Sequence, residues 1–405
     1  MMSFSSRRLS LNTAILIKRN GKLFQCDLRR ITMYRDFDTF AEDSLEQDNK
    51  LMIPINHLDG ITSQMIQTNR LNTHVLTSGP EDGVPVVFLH GNFSAATYWE
   101  ETMLALPAGF RSIAPDLRGY GWTEDKLIDA TRGMRDWVDD LAALFAAMAI
   151  EQAHLVGWSL GGGVVFRFIV DHPQKVLSAT LVAPVSPYGF GGTKDAQGTP
   201  CYPDFAGSGG GTVNPEFVKR IIAGDRSDED PNSPRNVINT FYYKAPFRAA
   251  REEDFLTAAL AEKMGDQRYP GDLTPSENWP NVAPGKWGPI NAGSPKYVAG
   301  DAEALIAVQP KPPILWIHGS DDMIVGDMSF FDFGALAKLG YVPGCPGEDI
   351  YPPQPMVGQT RAVLDQYAAA GGQVREVVIQ DTAHGPHIEK PAEFNAAFHG
   401  LLAGR

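Results

Sequence analysis

Residues that could activate a serine hydroxyl occur in this chain in the order serine, aspartate, histidine. Ser159 stands in the sequence Gly-Trp-Ser-Leu-Gly, between a short apolar run and a periodic apolar segment. The Asp321-Asp322 pair follows a second apolar run, and His384 and His387 follow a third. A serine hydroxyl is a poor nucleophile unless a neighbouring base takes its proton and a third group orients that base. The chain order Ser, Asp, His is one of the known solutions to this requirement.

The residues around Ser159 predict a strand, a sharp turn and a helix. Gly157 and Gly161 flank the serine where the backbones of strand and helix would pass closely, so that a side chain would clash. The turn would lift the hydroxyl clear of the sheet and place it at the positive end of a helix, which suits a developing oxyanion. The alternative is a glycine-rich turn with a chance serine, since short patterns recur by chance.

The elements that would position these groups alternate along the chain. Strands are predicted at 61–68, 71–77, 84–89, 110–115, 153–157, 176–182, 313–318 and 374–379. Helices are predicted near 98–103 and at 135–150, 164–170, 217–222, 247–263, 361–370 and 394–402. Strands and helices that alternate with short connections are typical of a mostly parallel sheet covered on both faces.

Two insertions and an N-terminal extension depart from this alternation. Residues 186–304 are rich in Gly, Pro and aromatic residues and are too long for a plain loop. We predict that they form a cap inserted into a catalytic core made of residues 51–185 and 305–405. A shorter irregular insertion spans 326–355. Residues 1–50 are polar and without clear periodicity, which predicts a loosely attached extension, disordered in part and without chemistry of its own.

Composition limits the partners and the compartment. The net charge of −13 disfavours nucleic acids and anionic membranes, because their phosphates would repel an acidic surface. No apolar run approaches the roughly 18 residues of a membrane span, and no cleavable secretion signal is evident. Cys26, Cys201 and Cys345 show neither metal-ligand spacing nor a disulfide framework, although a Cys201–Cys345 bridge stays open. We therefore expect a cytoplasmic protein without a metal site.

Taken together, these motifs resemble those of the α/β-hydrolases that carry an inserted cap. The matching patterns are His90-Gly91-Asn92, Asp116 to Gly121, Gly157 to Gly162, Gly319 to Asp322, and His384 followed by Glu389-Lys390-Pro391. The resemblance covers roughly residues 60–185 and 305–405. It implies an α/β-hydrolase fold, in which a mostly parallel central sheet has helices on both faces and a cap domain is inserted.

The resemblance also implies a role for each matching residue. Ser159 would be the nucleophile, and His384, which precedes the Glu-x-Pro pattern, would be the base. Asp322 would be the acid that orients His384, because the family's acid ends a Gly-x-x-Asp pattern. The oxyanion hole would be formed by the backbone N–H groups of Asn92 and Leu160, and two such donors are worth several kcal/mol of barrier.

Other polar residues near these motifs are expected to support the site rather than to react. We expect Asp321 to be a solvated or capping carboxylate rather than the triad acid, and His387 to sit at the rim of the site rather than to bind substrate. His90 would fix the oxyanion loop, and Asp116 with Arg118 would stabilise the fold internally.

The expected reaction is hydrolysis of a carboxylic ester or lactone through an acyl-serine, without a cofactor. Other serine-dependent chemistry of the same fold is the alternative: carbon–carbon bond hydrolysis, amide hydrolysis, acyl transfer or cofactor-free perhydrolysis. A binding protein without turnover is a third possibility, which the complete set of triad residues disfavours.

The substrate is expected to be a small molecule, and aromatic residues favour an apolar or aromatic ester or lactone. Trp158, beside the nucleophile, either lines the acyl pocket or packs. The aromatic residues of the cap either contact substrate or form the cap's own core; they are Tyr188, Phe190, Phe205, Tyr242, Tyr243, Trp279 and Trp287. The oligomeric state is left open.

Overall fold

A computed structural model describes residues 55–404 and the backbone of two short strands near the N-terminus. These strands, β1 (Ile15–Arg19) and β2 (Lys22–Cys26), pair antiparallel and belong to a unit of the chain that spans residues 1–49. Apart from the backbone of these two strands, residues 1–50, for which partial disorder is predicted, lie outside the described residues. The extension therefore stays a prediction.

The second unit of the chain contains a sheet of eight strands. Its spatial order is β12-β11-β8-β7-β5-β6-β4-β3, and the strands from β12 to β6 run parallel, whereas β4 and β3 run antiparallel to their neighbours. A separate antiparallel pair is formed by β9 and β10. The strands are β3 (Thr62–Gln67), β4 (Asn72–Ser78), β5 (Val84–Leu89), β6 (Phe110–Pro115), β7 (Ala153–Trp158), β8 (Val176–Val182), β9 (Leu273–Pro275), β10 (Val282–Pro284), β11 (Ile314–Gly319) and β12 (Val374–Ile379).

Helices follow most of the strands. They are α1 (Glu100–Leu104), α2 (Arg135–Ala147), α3 (Leu160–Asp171), α4 (Pro215–Ile222), α5 (Pro234–Val237), α6 (Glu252–Ala259), α7 (Pro289–Ala292), α8 (Asp301–Ala307), α9 (Phe333–Lys338), α10 (Met356–Ala369), α11 (Pro386–Glu389) and α12 (Pro391–Leu402). Among the described residues, no helix has the length and apolar character needed to cross a membrane.

Alternate residues of the central strands pack into two different cores. Val87 and Leu89 of β5 lie in a core with side chains of α2, α3, α8 and α10, whereas Val86 and Phe88 lie in a second core with side chains of α1 and α12. Because successive side chains of a strand point to opposite faces, the two cores cover both faces of the sheet. The mostly parallel sheet with helices on both faces is therefore confirmed.

The chain between β8 and β11 holds five short helices, α4 to α8, the β9–β10 pair and a π-helical turn at Ile238–Tyr242. The predicted helix at 247–263 was too long at both ends, since α6 covers only Glu252–Ala259. Three acidic residues occupy the first turn of α6, where the helix dipole favours negative charge. The division into a core and a cap at 186–304 stays a prediction.

The described cysteines do not form a bridge. Cys201 and Cys345 are free thiols, so the open alternative of a Cys201–Cys345 disulfide is not realised. Burial raises the pKa of the Cys201 thiol to about 12, which leaves it protonated and unreactive at neutral pH.

Candidate active site

Ser159 lies in the tight turn between β7 and α3, where the sequence predicts it. Its backbone has φ 55° and ψ −117°, a conformation that a residue with a side chain rarely adopts. The turn is held by hydrogen bonds on both sides. Ser159 N donates to Val182 O at 2.9 Å, and Ser159 O accepts from Gly162 N at 2.9 Å and from Val185 N at 3.0 Å. The surrounding chain therefore fixes the strained turn in one geometry.

Glycine is required on both sides of Ser159 because backbones cross there. A Cβ added to Gly157 would overlap the carbonyl oxygen of Gly161, and one added to Gly161 would overlap that of Leu89 at the end of β5. The half-exposed Ser159 thus stands at the point where β7, α3 and the loop after β5 meet.

Asp322 and His384 form a buried pair. The distance from Asp322 Oδ2 to His384 Nδ1 is 2.8 Å, and the two side chains are 3% and 2% exposed. The other carboxylate oxygen, Oδ1, accepts from Ile324 N at 2.8 Å and from Val325 N at 3.0 Å. Burial opposes ionisation, yet the charge and hydrogen bond of His384, together with these two amides, hold the pKa of Asp322 below its usual range. The carboxylate is therefore ionised at neutral pH and orients the imidazole through Nδ1, leaving Nε2 for proton transfer.

Asp321 lies apart from this pair and has surface partners. Its carboxylate is 40% exposed, forms an ion pair with Lys244 Nζ at 2.7 Å and accepts from Ser320 Oγ at 2.7 Å. The structure thus brings Asp322 to His384 and leaves Asp321 at the surface.

The loop that carries His384 is held by residues of two distant segments. Trp158 Nε1 donates to His384 O at 2.8 Å, and Trp158, the neighbour of Ser159, is fully buried in a core cluster. Glu389 accepts from Ala383 N and from Lys244 N, each at 2.7 Å. The Glu-x-Pro pattern thus supplies the carboxylate that fixes the backbone next to His384.

The loop His90-Gly91-Asn92 approaches Ser159 closely. A Cβ added to Gly91 would lie 2.9 Å from Ser159 Cβ. Burial lowers the pKa of His90, so its ring is neutral; Nδ1 donates to Gly91 O at 2.8 Å and Nε2 accepts from Leu117 N at 2.9 Å. His90 thus fixes the loop.

Two tyrosines hold Asn92 from the other side. Tyr242 Oη donates to Asn92 O at 2.8 Å, and Tyr120 Oη donates to Asn92 Oδ1 at 2.9 Å. Among the described residues, neither the N–H of Asn92 nor that of Leu160 donates a hydrogen bond. Both predicted oxyanion donors are therefore uncommitted beside Ser159.

Asp116 and Arg118 lie within the fold rather than in the site. Asp116 accepts from Ala96 N and from Trp122 N, each at 2.8 Å. Arg118 pairs with both oxygens of Asp140 at 2.7 Å. Their contacts are those of residues that stabilise neighbouring loops.

His387 does not sit at the rim, and that prediction was wrong. The residue is 1% exposed, its ring stacks on Trp99 at 4.3 Å between centroids, and it meets the edge of Trp158 at 5.0 Å. Neither ring nitrogen has a hydrogen-bond partner among the described residues. Burial, with a smaller contribution from His384, lowers the pKa of His387 to about 3.

The buried position of His387 predicts a pH-dependent gain in stability for His387→Phe. An unfolded histidine takes up a proton below about pH 6.5, whereas folded His387 stays neutral down to about pH 3, so the wild type loses stability as pH falls between these values. A phenylalanine fits the aromatic surroundings and removes this loss. We expect the variant to be about 1–3 kcal/mol more stable than wild type at pH 4.5, and within about 1 kcal/mol at pH 7.5. Urea unfolding at both pH values measures the difference, and an equal gain at both would contradict a neutral buried ring.

Several positioning residues carried no signal of that role in the sequence. Tyr120 belongs to a quoted pattern, but nothing in that pattern indicates that its hydroxyl binds Asn92. Tyr242, predicted to contact substrate or to fill the cap's core, packs in a core with side chains of the inserted segment, and its hydroxyl also donates to the carbonyl of Asn92. Only the fold brings these residues together, because about 150 residues separate Tyr242 from Asn92.

Comparisons with known proteins identify the family and the fold. A family model described as the alpha/beta hydrolase fold matches residues 84–208. Over 282 residues the chain is 35% identical to 2-hydroxymuconate semialdehyde hydrolase of Pseudomonas sp., a match that covers 68% of this chain and 83% of that one. It is 29% identical over 189 residues to the carboxylesterase nap of Bacillus subtilis, covering 44% of this chain and 62% of nap, less than two thirds of that relative.

A solved structure gives the same result for the fold. The carboxylesterase CesB (YbfK) of Bacillus subtilis superposes with a TM-score of 0.53 at 17% identity, and the match covers 87% of this chain and 93% of that one. On the evidence of the sheet, of the turn at Ser159 and of these relatives, the chain belongs to the α/β-hydrolase family.

Proposed function

We propose that this protein is a serine hydrolase that cleaves a carboxylic ester or lactone through an acyl-enzyme on Ser159. The observation that carries the proposal is the buried Asp322–His384 pair, together with a nucleophile held in a strained turn. Relatives described as carboxylesterases, among them nap and YbfK of Bacillus subtilis, support an ester as the bond that is cleaved.

In the first half of the proposed reaction, Ser159 Oγ attacks the carbonyl carbon of the ester. His384 Nε2 takes the hydroxyl proton as the new C–O bond forms, and the Asp322 carboxylate stabilises the resulting imidazolium. The oxygen of the tetrahedral intermediate accepts from the N–H groups of Asn92 and Leu160. Collapse of the intermediate breaks the bond to the alcohol, which leaves with the proton from His384.

In the second half, water replaces the alcohol. His384 takes a proton from the water molecule, which attacks the acyl-serine carbonyl in the same oxyanion hole. The carboxylic acid leaves, and Ser159 regains its proton from His384. The same residues act in both halves, and neither half requires a cofactor.

Carbon–carbon bond hydrolysis is a second candidate, favoured by one observation. The relative that is 35% identical over 282 residues is described as 2-hydroxymuconate semialdehyde hydrolase. The same triad would then attack a ketone carbonyl rather than an ester; the adjacent carbon–carbon bond would break, and its carbon would leave as a stabilised carbanion that takes the proton from His384.

Labelling with a fluorophosphonate probe tests the nucleophile. We expect the wild type to be labelled stoichiometrically and Ser159→Ala not at all, because the probe forms a bond to an activated serine oxygen. Label that persists in Ser159→Ala would refute the assignment of the nucleophile.

A substrate panel separates the candidate reactions. Esters and lactones on one side and β-diketones on the other, each tested at equal concentration, distinguish ester hydrolysis from carbon–carbon cleavage. Turnover of β-diketones alone would establish the second candidate. Transfer of the acyl group only to an alcohol or thiol would contradict hydrolysis altogether.

A further inference from the structure

A buried carboxyl group that the proposed mechanism does not use lies near the oxyanion loop. Glu262, which follows α6, is 6% exposed. Neither of its carboxyl oxygens has a hydrogen-bond partner among the residues that the structure describes. Burial raises the pKa of Glu262 well above its usual range, and no partner among the described residues compensates a charge there, so the uncharged form is favoured. A buried acid without partners costs stability, and its presence calls for a role outside the folded chain's own hydrogen bonding.

The backbone next to Glu262 is fixed against the turn that supports Asn92. Lys263 N donates to Gly119 O at 2.9 Å. Tyr120, the residue after Gly119, donates a hydrogen bond from its hydroxyl to Asn92 Oδ1. Glu262 is therefore held at a defined position beside this turn.

Three tyrosines link Glu262 to Asn92. Tyr120 and Tyr242 each donate a hydrogen bond to Asn92, and burial raises the pKa of Tyr269, an effect that the side chain of Asn92 partly opposes. Burial is the main cause of the raised pKa of all three phenols, and a charge on Glu262 would raise it further. The carboxyl group of Glu262 and the oxyanion loop therefore share the same tyrosine neighbours.

The chemistry of this group limits what it can bind. An uncharged carboxyl group offers one O–H donor and one carbonyl acceptor, which a hydroxyl group can satisfy together. The negative charge of an anionic ligand would not be compensated by the adjacent Lys263, because the ammonium of Lys263 donates to Gly121 O at 2.9 Å.

We propose that Glu262 is a specificity-determining residue whose buried, unpartnered carboxyl group hydrogen-bonds a hydroxyl group carried by the ester substrate. The inference rests on the proposed serine hydrolase function, and it narrows the substrate class to hydroxyl-bearing esters. Such a site discriminates strongly against an analogue without the hydroxyl, because that analogue leaves the buried carboxyl unpaired.

Matched pairs of esters test the proposal. On the acyl side they are p-nitrophenyl butyrate against 3-hydroxybutyrate, and hexanoate against 6-hydroxyhexanoate. On the alcohol side they are propyl acetate against 2-hydroxyethyl acetate, and pentyl acetate against 4-hydroxybutyl acetate. The measured quantity is the ratio of kcat/KM within each pair, which cancels general effects on the catalytic site.

Three enzymes are compared: wild type, Glu262→Gln and Glu262→Met. Wild type should prefer the hydroxyl-bearing member of at least one pair by about 10-fold or more. Glu262→Gln, which keeps a donor and an acceptor, should retain that preference to within about 3-fold, whereas Glu262→Met, similar in length and apolar, should lose it. Glu262→Leu replaces Glu262→Met if the latter does not fold, and a higher melting temperature of either apolar variant would accompany removal of the unpaired acid.

Results that contradict the role of Glu262 differ from results that contradict the proposed hydrolase function. A wild type without preference in any pair, or a preference that Glu262→Met retains, would overturn the role of Glu262. Fluorophosphonate labelling at Ser159 is measured in parallel. A wild type that is labelled and hydrolyses esters but shows no preference refutes only the specificity proposal, whereas a wild type that is neither labelled nor active on any ester refutes the hydrolase proposal.

Discussion

Ester turnover should fall by about 10⁴- to 10⁶-fold in Ser159→Ala, by a comparable factor in His384→Ala, and no further in the double variant. In the proposed mechanism the nucleophile and its base perform one step together, so either loss removes the whole covalent route. What remains is catalysis by the oxyanion donors and by binding alone. Measurement of kcat with a p-nitrophenyl ester, at protein concentrations determined from absorbance, gives the three values.

The kcat of the double variant, compared with those of the single variants, shows whether Ser159 and His384 act in one step or contribute separately. Losses that multiply in the double variant would mean that Ser159 and His384 act independently, which contradicts a shared proton transfer. Thermal unfolding of each variant is the control for folding. A similar melting temperature is expected for Ser159→Ala, because the hydroxyl is not among the groups that hold the turn.

Asp322→Asn should lower kcat by about 10³- to 10⁴-fold, while the matched control Asp321→Asn should stay within about 3-fold of wild type. The amide oxygen of the new asparagine must accept from Ile324 N and Val325 N, as Oδ1 does now. Its NH₂ group then faces His384 Nδ1, which can only accept. The proton moves to Nε2, and the imidazole in this tautomer cannot take a proton from Ser159.

The control is close in sequence and different in environment. Asp321 pairs with Lys244 at the surface, and loss of an exposed ion pair costs at most about 1 kcal/mol. Steady-state kinetics of both variants, with circular dichroism as the check of folding, give the comparison. A collapse of kcat in Asp321→Asn with turnover retained in Asp322→Asn would reverse the assignment.

The sequence predicts those parts of the candidate site in which a local pattern of residues surrounds the reactive group. Glycines beside Ser159 and the strand ends before Asp322 and His384 are local signals, because backbone crossing and strand direction act over a few residues. The strands of the large sheet were predicted within one residue at each end for the same reason, since alternation marks the first two strands and apolar runs mark buried strands.

The remaining features depend on contacts between distant segments. The prediction for His387 was wrong because burial by Trp99 cannot be deduced from a position three residues after His384. Glu262 has no local motif at all, and only its missing partners and its tyrosine neighbours mark it. The helices between β8 and β11 have eight residues or fewer, and two turns carry too little periodicity to locate their ends.

Residues 242–244 contact both halves of the proposed catalytic machinery. The hydroxyl of Tyr242 binds the oxyanion loop, its carbonyl accepts from Gly385 N at 2.8 Å, and Lys244 N binds the glutamate that fixes the histidine loop. A substrate that displaces this short segment would move the proton acceptor and the oxyanion donors in one motion. Substrate binding and rate would then be coupled, so a substrate that fits poorly against this segment should reduce kcat rather than only raise KM.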